Sequence, residues 1–283
     1  MSMIAVVAVV AIGATGAFFS DTETSTGNTF TAGAIDLTVD SEQHYNGNVC
    51  TLITPATEQT PAVYEWVGTA PYPAQGTPCN GTWLATNLGA QTFFNFGDIK
   101  PGDSGENTIS LHIDNNDAYA CVDVNITSND DMTCTEPELG VGEDPTCLPT
   151  PTDTDTSDGE LAQNIMFFAW AETDGDNIWE PGQSEIPLFS NTYGPASDVL
   201  GGENYTLASP QTLPLPGGST SYIGLAWCAG DFTGGVPGVL LGNLACNGAS
   251  MGNDTQTDSL VANIAFRVEQ ARNNPTFSCT EVD

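Results

Sequence analysis

Four segments of this chain alternate apolar and polar residues with a period of two, as strands buried on one face do. Between residues 30 and 39, Ile35, Leu37 and Val39 point one way and Asp36 and Thr38 the other. Ile109, Leu111 and Ile113 alternate with Ser110 and His112. Ala120, Val122, Val124 and Ile126 make a third row, and Ala262, Ile264, Phe266 and Val268 a fourth. The run 165–171 (Ile-Met-Phe-Phe-Ala-Trp-Ala) is nearly all apolar, which predicts a central strand covered on both faces. Shorter runs at 186–189, 205–207 and 222–227 predict further strands. Lys100-Pro101-Gly102-Asp103 is a turn, with Pro presetting the second position and Gly following it. Long amphipathic helical runs are scarce. The pattern predicts an all-β fold, an antiparallel β-sandwich.

Three stretches depart from it. Residues 3–17 are an apolar run of signal-peptide length, short for a membrane span, ending in the small residues Thr15-Gly16-Ala17. No Lys or Arg precedes Lys100, whereas a signal peptide usually carries a basic leader. Cleavage near Ala17 would remove residues 1–17, and within the remaining 18–283 residues 31–283 read as a single sandwich domain. Residues 41–91 carry Cys50, Cys79, five prolines and the aromatics Tyr64, Trp66, Tyr72 and Trp83, and read as a disulfide-stapled insertion. Residues 129–160, rich in Pro, Thr and Asp, read as a surface insertion rather than a linker.

Charge narrows the partners. Across 283 residues, 36 acids face three basic residues, for a net charge of −33. Such a surface repels nucleic acid and anionic lipid and attracts cations. A hydrophobic content of 40 % is enough to fold. The eight cysteines (Cys50, Cys79, Cys121, Cys134, Cys147, Cys228, Cys246 and Cys279) include no C-x-x-C pair, so zinc-ribbon spacing is absent. Behind a signal-like segment, an even count reads as disulfides in an oxidising compartment. More than a hundred connectivities are open. Joining Cys50 to Cys79, Cys134 to Cys147 and Cys228 to Cys246 is one arrangement, which leaves Cys121 for Cys279.

One loop has the make-up of a cation site. In Glu172-Thr-Asp174-Gly175-Asp176-Asn-Ile178-Trp-Glu180-Pro-Gly-Gln-Ser-Glu185, Asp174 and Asp176 sit two apart around Gly175. Ile178 can offer its carbonyl, Glu180 follows, and Glu185 lies where an EF-type loop places its closing acid. The glycine is misplaced for an EF-hand and strands flank the loop, so calcium here competes with a plain acidic hairpin turn.

Catalysis finds little footing. His44 and His112 lie in unrelated phrases, and neither an H-E-x-x-H nor a G-x-S-x-G motif occurs. The chain reads as no enzyme. Four glycosylation sequons, at Asn80, Asn125, Asn204 and Asn253, are no more than chance gives a chain so rich in Asn, Ser and Thr.

The phrase after the apolar run, Ala17-Phe18-Phe19-Ser20-Asp21-Thr22-Glu23-Thr24-Ser25-Thr26-Gly27-Asn28-Thr29-Phe30, followed by Ala32-Gly33 and Asp36-Leu37, resembles the start of the camelysin/TasA family. These are secreted β-rich proteins released by a dedicated signal peptidase. The Phe96-Gly97-Asp98 and Pro101-Gly102-Asp103 phrase, Trp227-Cys228 and the run 268–274 are similar to that family too. The likeness covers both ends and the middle, about half the chain, and leaves out 41–91 and 129–160. By itself, segment 18–30 can fold back, stay loose or add to a neighbour's sheet. The resemblance implies the last: a jelly-roll subunit of an extracellular, biofilm-matrix type of filament. Its donor strand would be carried by Phe18, Phe19, Thr22, Thr24, Thr26, Asn28 and Phe30, and its partner would be another copy of itself, head to tail. The alternative class is a monomeric secreted adhesin or carbohydrate-binding module, with Trp and Tyr of 64–83 against glycans.

Overall fold

The alternating rows become strands, and the chain carries them back and forth between two sheets. The computed structural model describes residues 35–89, 91–139, 144, 158–189, 193–233 and 244–280. The apolar run 1–17, the segment 18–30 and Cys147 therefore lie outside the described residues. The strands are β1 (Asp36–Tyr45), β2 (Asn48–Thr54), β3 (Val63–Val67), β4 (Trp83–Thr86), β5 (Ser104–Asp114), β6 (Ala118–Asp131), β7 (Ile165–Glu172), β8 (Ile186–Pro187), β9 (Gly194–Pro195), β10 (Glu203–Ala208), β11 (Ser219–Ala229), β12 (Asp231–Thr233), β13 (Ala245–Asn247) and β14 (Asp258–Gln270). Two single-turn helices, α1 (Leu161–Asn164) and α2 (Ala196–Val199), precede β7 and β10.

The larger sheet runs β3-β2-β1-β5-β11-β7-β8, with β4 on β1 and β9 on β7; the smaller runs β10-β6-β14; β12 and β13 form a ribbon. All pairings between strands are antiparallel. Three residues at 115–117 take the chain from β5 in one sheet to β6 in the other. The inward rows of the two sheets meet in one core: Val39, Ile109, Leu111, Phe167, Ile223, Leu225 and Trp227 from the larger, Val122 and Val124 from the smaller. This is an all-β sandwich. Residues 41–91 extend it, since β1 runs on to Tyr45 and β2, β3 and β4 lie at its edge.

The expected turn forms at 100–103. Asp103 N donates to Lys100 O at 2.9 Å, and Gly102 takes a φ of 91° that a side chain would resist. Asp103 then accepts from the Tyr45 hydroxyl (2.8 Å) and from Asn46 Nδ2 (2.8 Å), which joins the turn to the first hairpin. Tyr45 lies among Trp66, Tyr72, Phe96 and Trp227, with ring centroids 4.5–6.0 Å away. Of the four aromatics of 64–83, Trp66 and Trp83 are therefore core, and Trp83 Nε1 donates to Val39 O. Tyr64 is half-buried, and Tyr72 is exposed.

A second, smaller core forms on the outer face of the larger sheet. Phe168, Trp170, Ala226 and Cys228 point away from the main core and are covered by Trp179 and Phe232. This is why the run 165–171 is apolar throughout although β7 stands near the sheet's edge. Disulfides join Cys50 to Cys79, Cys121 to Cys279 and Cys228 to Cys246. Cys134 is disulfide-bonded as well. His112 faces outward, as its place in the alternation requires, between Asp40 Oδ2 (2.7 Å) and Thr220 Oγ1 (3.0 Å).

Candidate functional site: an open sheet edge and an acidic loop

Edges of a sandwich present unpaired backbone groups, and the two edges of the larger sheet are covered or very short. The outer edge of β3 is taken by the chain at 76–79: Trp66 N donates to Thr77 O, Gly76 N to Trp66 O and Cys79 N to Tyr64 O. β8 and β9 are two residues long, and each contains a proline, which cannot extend a ladder. β14 is different. It is thirteen residues long, pairs with β6 on one side, and has no strand on the other among the described residues.

Its inward row shows the consequence. Leu260, Ala262, Ile264 and Phe266 pack against the main core but remain only half-buried. Their neighbours on the central strand β6, Val122 and Val124, are 8 % and 6 % exposed. Apolar rows that are covered on one flank and open on the other gain from one more strand. The back of β14 is held firmly. Arg267 Nε lies 3.4 Å from Asp123 Oδ2, and its Nη2 donates to Cys279 O at 3.0 Å, beside the Cys121–Cys279 bridge.

Asp258 fixes the start of β14. Its Oδ2 accepts from Glu160 N (2.6 Å) and Leu161 N (2.8 Å) at the head of α1. Burial pushes its pKa up to about 7 against those two bonds, and the charges of Glu160 and Asp131 add to the push. Asp131 rises to about 6, by burial first and then by Asp144, Glu138, Asp158 and Asp130. Glu106 on β5 rises to about 7 by burial alone. The sign is that of groups whose charged form folding disfavours. Between the unfolded pKa and the folded one the native state holds more protons, so stability is greatest below about pH 4 for these groups and is lost as pH rises towards 7. Chelated protein is expected to melt higher at pH 5 than at pH 8, and Asp258→Asn to remove on the order of 1–2 kcal/mol of that difference after solvent screening. Urea titrations at the two pH values check it. Equal stabilities, or a gain at pH 8, would contradict the burial of these groups.

The acidic loop joins β7 to β8. Glu172, the last residue of β7, is buried, while Asp174 and Asp176 are exposed; one oxygen from each lies within 4.8 Å of the others. Gly175 turns the chain between the two aspartates with a φ of 77°. Glu172 Oε2 accepts from Trp170 Nε1 (2.9 Å), and Oε1 from Thr173 N (2.8 Å). Burial works against the Glu172 carboxylate, but a proton shared with Glu185 and these donors outweigh it and hold its pKa below the ordinary value. Glu185 goes the other way, raised by burial and then by Glu172 facing it.

Of the residues that the sequence offers to calcium, the structure brings Asp174 and Asp176 together and sets Glu185 beside Glu172, which the spacing argument had passed over. Glu180 turns instead to Gln183 Nε2 and donates its N–H to Glu185 Oε2. Ile178 is half exposed, and its N–H donates to Asp176 Oδ1 at 2.9 Å. The alternation Glu172, Asp174, Asp176 was present in the sequence as a signal for the added ligand. Asn80, Asn125, Asn204 and Asn253 are all exposed. The donor-strand residues Phe18, Phe19, Thr22, Thr24, Thr26, Asn28 and Phe30 lie outside the described residues. Among the described residues no helix is long and apolar enough to cross a membrane. No protein-family model and no curated protein matches the chain.

Proposed function

We propose that this chain is the structural subunit of an extracellular filament or matrix fibre. Segment 18–30 of one copy would add as a strand to the open edge of β14 in the next. The observation that carries this is the half-buried apolar row of β14 beside an edge with no strand among the described residues. The added strand would make backbone hydrogen bonds along β14 and cover that row. Segment 18–30 has the same number of residues as β14, and by alternation Phe18, Thr22, Thr24, Thr26, Asn28 and Phe30 would fall on one face and Asp21, Glu23 and Ser25 on the other. The likeness of residues 17–37 to the camelysin/TasA family supports the same reading and brings with it the jelly-roll winding and secretion. The disulfides fit an oxidising compartment. The adhesin reading is weaker, because Trp66 and Trp83, on which it leaned, are core residues.

The experiment compares chains 18–283 and 31–283 by negative-stain electron microscopy and hydrogen exchange. The longer chain is expected to form filaments with slow-exchanging β14 amides. The shorter is expected to stay monomeric with fast ones, and to regain protection with a synthetic 18–30 peptide. Filaments from the shorter chain would overturn the donor role. Concentrated 18–283 that stays monomeric with β14 protected would show the segment folding back on its own sheet, and the filament reading would fall.

A further inference from the structure

The acidic loop is more than a solvated turn, and the reason is Glu185. In a turn open to water, every carboxylate finds water molecules. Glu185 is 6 % exposed, and its Oε1 meets no hydrogen-bond donor of the protein. Its Oε2 is already taken by Glu180 N. The carboxyl group faces that of Glu172, itself 6 % exposed, and Glu172 in turn forms a cluster of oxygens with Asp174 and Asp176. An unpartnered buried carboxylate oxygen is costly unless a cation or a shared proton meets it, and at neutral pH a cation can serve both carboxylates at once. No basic side chain does so. Lys100 pairs with Asp98, Arg267 with Asp123, and Arg272 lies beyond β14.

We infer that the β7–β8 loop binds one calcium ion through Glu172, Asp174, Asp176 and Glu185. All four ligands are carboxylates, with no imidazole or thiolate near, which selects a hard cation over zinc or copper. Calcium accepts six to eight oxygens in irregular geometry, whereas magnesium demands a near-ideal octahedron and gives up water reluctantly. A loop that supplies carboxylates from one strand end, one glycine turn and a residue nine positions further on suits the former. Glu172 ends β7 and Glu185 immediately precedes β8, so the ion would clamp the two ends of the loop together. That clamp would hold Trp179 over Phe168 and Trp170, whose rings lie 5.1 and 5.9 Å away. The site does not depend on strand addition, so it stands or falls apart from the filament reading.

The test uses the mature chain at physiological salt, cleared of metal, with calcium titrated calorimetrically and terbium as a luminescent probe. Trp170 sits close enough to sensitise terbium, since its indole donates directly to Glu172. One saturable site is expected, with bright sensitised emission and a melting temperature that rises with calcium. Asp174→Asn and Glu185→Gln should each weaken binding at least tenfold and abolish the melting response. Both variants should melt no lower than the parent in chelator, since each removes a repelling charge. Glu180→Gln should bind as the parent does. Responses unchanged in the two ligand variants, an equal loss in Glu180→Gln, or displacement of calcium by equimolar magnesium would overturn the assignment.

Discussion

Gly224→Ala is expected to cost about 3–5 kcal/mol, enough to leave this protein unfolded or insoluble at growth temperature. A Cβ at this position would stand 2.0 Å from Trp170 Cε2 and 2.1 Å from Cζ2. The indole cannot step aside. It is fully buried, stacks on Phe168 at 5.4 Å, meets Trp179 edge-on and donates to Glu172 Oε2. Moving it breaks the outer core and a buried hydrogen bond together, so both penalties add. A double-mutant cycle isolates the cause: in a Trp170→Ala background the added methyl has room, and the cost of Gly224→Ala should fall below about 1 kcal/mol. Additive losses would show that the strand, not the ring, rejects the side chain. Terbium emission gives a second readout, since a displaced Trp170 releases Glu172 and weakens the loop's hold on the ion.

The same residues show how far periodicity reads and where it stops. The alternation in β1, β5, β6 and β14 reports which side chains face the core, because a strand's two faces are fixed by its own residues. It cannot report what lies beside a strand. The run 165–171 reads as central, yet β7 stands near an edge and owes its apolar outer face to Trp179, eight residues past the run. In β14 the inward row is plain in the sequence, but the half-burial that marks the edge depends on which strand is next to it. Trp66 and Trp83 look available for sugar only until β3 and β4 are placed in the larger sheet, which turns both into the core. Glu172 stands outside the ligand set that loop spacing offers because it closes a strand, and only the fold brings Glu185 back to face it.

Removing the Cys121–Cys279 bridge should cost more than removing the Cys50–Cys79 or the Cys228–Cys246 bridge, and should disable the β14 edge as well. By the entropy of the freed unfolded chain, a loop of 158 residues is worth about 5 kcal/mol, one of 29 about 3.6 and one of 18 about 3. The long bridge also ties the tail behind β14 to β6. Cys121 and Cys279 are 0 % and 4 % exposed, Phe277 lies on Tyr119 at 5.4 Å, and Arg267 reads the carbonyls of Ser278 and Cys279. Without it, Arg267 loses the tail carbonyls that it binds behind β14, and the tail no longer backs the strand. Cys121→Ser with Cys279→Ser is therefore expected to melt roughly 10 °C lower. It should also lose protection of the β14 amides and of any strand added to them. Cys228→Ser with Cys246→Ser should melt slightly higher than Cys50→Ser with Cys79→Ser, and both should leave those amides as they are. If the three double variants fall in the opposite order, native contacts around each bridge outweigh chain entropy. If the long bridge goes without loosening β14, the edge is rigid by its pairing to β6, and the tail has no part in presenting it.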